Sequence, residues 1–182
     1  MRKEIRITGF GGQGVALAGN ILGKAIALYA GLEAVMTQAY GPEARGGASS
    51  ANLVVADEPI DYPFVQAPDI LIALSQDAYT TFRATAKPEA VILVDADLVV
   101  PGEGDCPLRV PATRIAEDLG VRRAANIVML GFFAAVTGIP GRESLERAIE
   151  TSLKPKLVPV NLRAFAAGFA YAGQVAEKEQ QV

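Results

Sequence analysis

Six residues near the start of the chain, Gly9-Phe10-Gly11-Gly12-Gln13-Gly14, match G-x-G-x-x-G at Gly9, Gly11 and Gly14, and they stand between a strand-like and a helix-like segment. In that setting backbone N–H groups point at a phosphate or carboxylate, and the helix dipole favours the negative charge. Gly12 adds a fourth glycine, so a ligand or a neighbouring chain can approach the backbone closely on either side of Gln13. The same spacing also serves a tight turn that only packs a helix on a strand. What surrounds the loop has to decide between the two.

A second constellation is Tyr40-Gly41-Pro42-Glu43-Ala44-Arg45-Gly46-Gly47, a loop by its Gly and Pro content. Loops that follow strands of one direction leave at the same carboxyl-end edge, which sets Arg45 beside the glycine loop. A guanidinium offers a fork matched to phosphate or carboxylate. The alternative is a surface arginine paired with Glu43, worth at most about 1 kcal/mol. Asp95 and Asp97 end another strand at that edge. Two carboxylates without a third oxygen donor are a weak magnesium site, and strand-end acids or helix caps account for them better.

Several chemistries are excluded. The chain has no histidine and one cysteine, Cys106, so Ser-His and Cys-His pairs, His-based metal sites and an internal disulfide are ruled out, as is a cluster held by this chain's own thiolates. The second strand ends in Thr37-Gln38 rather than the acid that holds a nicotinamide ribose, and Glu33 lies at its opposite end. The loop also lacks the Lys and Ser/Thr of a nucleotide hydrolase. No catalytic residue and no metal ligand is expected here.

The elements that must position these residues follow from periodicity. Ile5 and Ile7 mark a first strand; Val15–Ala30 reads as a helix with Leu17, Ile21, Leu22, Ala25 and Leu28 on a stripe and Gly31 as its cap. Strands are expected at Ala34–Gln38, Ser49–Val55, Ile70–Leu74, Val91–Val94 and Leu108–Val110, with a helix over Gln76–Ala86 capped by Ser75. Helices dominate afterwards: Asn126 is read as the N-cap of Ile127–Thr137, a last helix starts near Pro159, and Glu177–Val182 is a polar tail. The expected fold is a single α/β domain over 1–182, Rossmann-like, with a mainly parallel sheet flanked by helices and a helical C-terminal part.

Composition agrees with an intracellular globular domain: 51% hydrophobic, 20% charged, net charge −3, and no basic block to meet nucleic acid or anionic lipid. The apolar run Ile127–Val136 is about half of the roughly 20 residues a membrane span needs. The opening Met1-Arg2-Lys3-Glu4 runs into a strand, so no signal peptide is expected and the location is cytoplasmic.

Gly9-Phe-Gly-Gly-Gln-Gly, Gln38-Ala-Tyr-Gly-Pro-Glu-Ala-Arg-Gly-Gly, Asp57-Glu-Pro-Ile-Asp-Tyr-Pro and Pro68-Asp-Ile-Leu-Ile-Ala-Leu-Ser-Gln together resemble the gamma subunit of 2-oxoacid:ferredoxin oxidoreductases. Asn126, Asn161, Phe165 and Gly168 extend the likeness along nearly the whole chain, and Tyr40–Gly47 is similar to 2-oxoglutarate-type members. The resemblance implies a multisubunit enzyme that decarboxylates a 2-oxoacid to its acyl-CoA and reduces ferredoxin. It implies partner alpha and beta subunits, a ferredoxin-like delta subunit in some members, and thiamine diphosphate, magnesium and iron-sulfur clusters held by those partners. In relatives this domain adjoins the coenzyme A route, so coenzyme A is the candidate ligand of Gly9, Gly11, Gly12, Gln13, Gly14, Tyr40, Arg45, Gly46 and Gly47. Other readings stay open: the equivalent subunit of a pyruvate or indolepyruvate enzyme, a free-standing nucleotide-binding or sensor module, or an architectural subunit whose glycine loop is an interface wedge.

Overall fold

Glu4 and Arg6 alternate with Ile5 and Ile7 along β1 (Arg2–Phe10), so one face of the strand is charged and the other apolar. The computed structural model describes residues 1–39 and 48–179, with side chains as far as residue 174. It buries the apolar face of β1 under α1 (Val15–Lys24), whose Val15, Ala18, Ile21 and Leu22 join Ile5 and Ile7 in the main core. The last turn of that helix widens to a π-turn over Ala25–Tyr29. Two positions of the expected stripe fall outside this core: Leu17 is 38% and Leu28 65% exposed, because the buried face runs through Ala18 and Ile26 instead.

Five further strands complete one sheet: β2 (Glu33–Ala39), β3 (Ala48–Ala56), β4 (Ile70–Ala73), β5 (Val91–Asp95) and β6 (Leu108–Val110), in the order β2-β3-β1-β4-β5-β6. β1, β4, β5 and β6 pair in parallel, while β3 runs antiparallel to both β1 and β2. The sheet is therefore mainly parallel, with β3 inserted as a reversed strand between β1 and β2. β2 still runs in the direction of β1. Residues 40–47, which include Tyr40, Arg45, Gly46 and Gly47, lie outside the described residues. Their flanks are placed: Ala39 stands opposite Ser50, and Ala48 opposite Phe10.

α2 (Gln76–Phe82) covers the other face of the sheet, packing Tyr79 with Leu71, Ala73, Ile92 and Val94. Ser75 caps it as expected, its Oγ accepting from the Ala78 N–H at 3.3 Å, but the helix tightens to a 3₁₀ turn at Arg83–Thr85 rather than continuing to Ala86. The C-terminal part is helical: α3 (Ala112–Asp118), α4 (Ala125–Thr137), α5 (Arg142–Ser152) and α6 (Val158–Glu179). α6 thus runs into the stretch expected as a polar tail. α4 and α6 cross in near backbone contact, since a Cβ at Gly131 would collide with the Phe165 carbonyl and one at Gly168 with the Val128 carbonyl. That crossing fixes where α4 begins, and its first residues reach the glycine loop.

Candidate functional site

In an open α/β sheet a crevice forms where neighbouring strands send their helices to opposite faces. Here β1 leads into α1 on one face and β4 into α2 on the other, so the crevice opens at the carboxyl ends of β1 and β4. The glycine loop sits at that point. Gln13 N–H donates to the Phe10 carbonyl at 3.2 Å and closes the turn. The Gln13 carboxamide is committed to the loop itself: Oε1 accepts from Phe10 N–H at 3.0 Å, and Nε2 donates to the Leu74 carbonyl at 2.6 Å. Gln13 therefore fastens the loop to the end of β4 with its side chain and leaves the backbone to face outward.

Gly14 is the N-cap of α1, left-handed at φ 72° and ψ 31°. A side chain there would meet two obstacles, the unfavourable φ and the Asn126 amide 2.5 Å from its Cβ. No side chain caps α1 and no acid stands in its first turn. The N–H groups of Val15, Ala16 and Leu17 have no acceptor within the helix and give that end a partial positive charge.

The opposite wall comes from α4. Asn126 is not the N-cap that the sequence suggests; a 3₁₀ turn over Arg122–Ala124 leads into the helix, Ala124 is the cap residue, and Asn126 lies inside the first turn. The fold uses it for a different purpose. Its Nδ2 donates to the Gly14 carbonyl at 3.0 Å and ties the starts of the two helices together, while its Oδ1 is buried with no partner. Asn126 is only 2% exposed, so an unpaired acceptor there is costly unless something donates to it.

Between these walls lies a cavity of 280 Å³, lined by Phe10 to Gln13 on one side and by Arg122, Arg123, Ala125 and Asn126 on the other. Leu74 and Leu98 add apolar surface, and Asp95 and Thr113 form another part of the wall. Arg122 pairs with Glu117 at 3.3 Å, and Arg123 makes no ion pair among the described residues. Both arginines stand at a helix N-terminus without an acid in its first turn, where cations are disfavoured unless an anion is present. Sequence reading missed both. The available signal was a pair of arginines directly ahead of an apolar helix, the reverse of the usual charge placement.

Asp95 is 1% exposed and its carboxylate is fully engaged: Oδ2 accepts from Thr113 N–H at 2.9 Å and Thr113 Oγ1 at 2.7 Å, and Oδ1 from Asp97 N–H at 3.1 Å. It holds the start of α3, as a strand-end cap. Asp97 pairs with Arg114, whose pKa is raised by that hydrogen bond and charge. Among the described residues no three His, Cys, Asp or Glu side chains converge as metal ligands. The cavity can therefore hold an anionic ligand with an apolar portion, through main-chain N–H groups, two guanidinium groups and a buried acceptor.

Comparison with known proteins matches this frame. The family model for pyruvate ferredoxin/flavodoxin oxidoreductase matches residues 4–171. The 2-oxoglutarate synthase subunit KorC of Methanocaldococcus jannaschii is 50% identical over 180 residues, covering 96% of each chain. Among solved structures, the gamma subunit of a keto/oxoacid ferredoxin oxidoreductase from Geobacter sulfurreducens PCA is 38% identical with a TM-score of 0.85, covering 94% of this chain and 97% of that one. The 2-oxoglutarate:ferredoxin oxidoreductase of Magnetococcus marinus, solved with 2-oxoglutarate, coenzyme A and succinyl-CoA bound, shares the fold at a TM-score of 0.85 and 23% identity. That match covers 95% of this chain and 31% of the other.

Proposed function

The chain belongs to the pyruvate ferredoxin/flavodoxin oxidoreductase family as a gamma-type subunit of a 2-oxoacid:ferredoxin oxidoreductase, and from that premise we propose that its enzyme converts 2-oxoglutarate to succinyl-CoA. The choice of 2-oxoacid rests on the 50% identity to 2-oxoglutarate synthase subunits. In this reading the chain supplies the coenzyme A side of the active site and helps assemble the complex. Alpha and beta partners, with a ferredoxin-like delta subunit where present, hold thiamine diphosphate, its magnesium and the iron-sulfur clusters. The division of labour suits a chain with one cysteine and no histidine. The enzyme works in the cytoplasm; among the described residues no helix is long and apolar enough to cross a membrane.

The observation that carries the reading is the cavity between the glycine loop that leads into α1 and the start of α4, with Arg122 and Arg123 in its wall and no acid in the first turn of either helix. Coenzyme A, when bound, supplies the thiol that takes up the acyl group and the phosphates that need counter-charge. This chain's part is to bind and orient. The N–H groups of Gly11 and Gly12 and the two guanidinium groups hold phosphate, Phe10, Leu74 and Leu98 shield the apolar portion, and Asn126 Oδ1 receives a donor. Tyr40, Arg45, Gly46 and Gly47, which lie outside the described residues, are proposed as further coenzyme A ligands on the strength of the family resemblance alone.

Titration calorimetry of the assembled complex with coenzyme A tests this. Arg123→Ala and Arg45→Ala are each expected to weaken binding about tenfold, the scale of one lost charge-assisted contact. Unchanged affinity in both would refute the coenzyme A role. Acyl-CoA formation restricted to pyruvate would refute the choice of substrate alone.

A further inference from the structure

The segment 57–69 between β3 and β4 is thirteen residues long and has no regular structure, yet most polar side chains at the start of β1 are spent on holding it. Arg2 donates to the Tyr62 carbonyl at 3.2 Å and Arg6 to the Val65 carbonyl at 3.1 Å. Glu4 Oε2 accepts from Gln66 N–H at 2.9 Å and Ala67 N–H at 3.2 Å. At the far end Asp69 takes Glu4 N–H at 2.8 Å and Lys87 at 2.7 Å. Loops of this length are uncommon without a function, and one so heavily fastened is ordered before anything binds it.

Two aromatic side chains of the loop face solvent. Tyr62 is 49% and Phe64 55% exposed, and their rings meet edge to face with centroids 5.6 Å apart. Exposed aromatic pairs on a rigid support are the usual anchors of protein interfaces. The loop also carries Glu58 and Asp61, both exposed and without an ion-pair partner among the described residues. A second copy of this chain on the same face would set acid against acid across a two-fold axis, which disfavours self-pairing.

We infer that the Tyr62–Phe64 loop is a docking surface for another subunit of the oxidoreductase, one that offers an apolar socket rimmed by lysine or arginine. This rests on the chain's being a subunit and not on the coenzyme A reading, because the loop stands at the amino end of β1, at the opposite edge of the sheet from the cavity.

The test uses the co-expressed complex. Benzoylphenylalanine in place of Phe64 is expected to crosslink, on illumination, to a peptide of a different subunit that contains basic residues. Tyr62→Ser with Phe64→Ser is expected to raise the dissociation constant of the complex about 100-fold or more, and Glu58→Lys with Asp61→Lys to slow its association. Crosslinks confined to a second copy of this chain, or an intact complex with no crosslink and an unchanged dissociation constant, would overturn the proposal. Coenzyme A affinity of the assembled Glu58→Lys/Asp61→Lys variant stays at the wild-type value under this proposal, so its failure can be told from failure of the active-site reading.

Discussion

The two ends of β1 are built in opposite ways. At its amino end Arg2, Glu4 and Arg6 meet named partners: Arg6 alone reaches Asn52 at 2.7 Å, Thr85 at 2.8 Å and the Val65 carbonyl at 3.1 Å, and stacks over Phe82. At its carboxyl end the backbone turns through glycines, Asn126 keeps an unpaired buried oxygen, and Arg123 has no ion pair among the described residues. Polar groups left without partners cost stability, so a fold that satisfies them at one end and not at the other marks the second as the place where a ligand completes the structure. Arg6 shows the saturated style most clearly. Burial lowers its pKa, partly offset by Glu4, and its hydrogen bonds make that burial tolerable.

Breaking the carboxyl end should have the largest effect. Gly14→Val places a β-branched side chain at positive φ against Asn126. Loss of about 3 kcal/mol in denaturant unfolding is expected, together with loss of measurable coenzyme A binding by the complex. Arg6→Leu attacks the other end. It leaves Asn52 Oδ1 without its donor and should cost about 2 kcal/mol, read in the same unfolding experiment, while coenzyme A affinity stays at the wild-type value. Arg123→Ala sharpens the contrast from the other side: weaker binding with no loss of thermal stability, or a gain of a few tenths of a kcal/mol, since a cation leaves a helix N-terminus.

The smallest effect concerns pH. Burial pushes the Asp69 carboxyl up, but Lys87, the Glu4 N–H and Lys3 outweigh it and hold its pKa below the ordinary value. A depressed carboxyl pKa adds stability above the unfolded value of about 3.9, and that contribution is lost as pH falls through the lower folded value. Amide protection factors in residues 57–69, which divide out the intrinsic pH dependence of exchange, should therefore fall below about pH 4 and be flat from pH 5 to 8. An Asp69→Asn variant should lose that acid response.

Much of this was legible in the sequence, for reasons that individual residues make plain. The G-x-G-x-x-G spacing, the apolar runs Ile70–Leu74 and Val91–Val94 and the cap at Ser75 are local signals, and the elements stand where they were expected, β4 one residue shorter. Strand direction is not local. Nothing in Ala48–Ala56 says that it runs against β1, because an apolar run reads the same both ways. Asn126 looked like a cap for the same reason: only the α4–α6 crossing at Gly131 and Gly168 reveals that its amide belongs to Gly14. Arg122 and Arg123 join the site through that same tertiary contact, at a distance of more than a hundred residues along the chain.

Hydrogen–deuterium exchange on the assembled enzyme, with and without coenzyme A, tests the contrast between the two ends most directly. Slower exchange is expected at residues 11–17 and 122–126, with no change at 57–69. Protection that spares both of the first two segments, or that appears instead in the Tyr62–Phe64 loop, would contradict the assignment of the carboxyl-end cavity to the ligand.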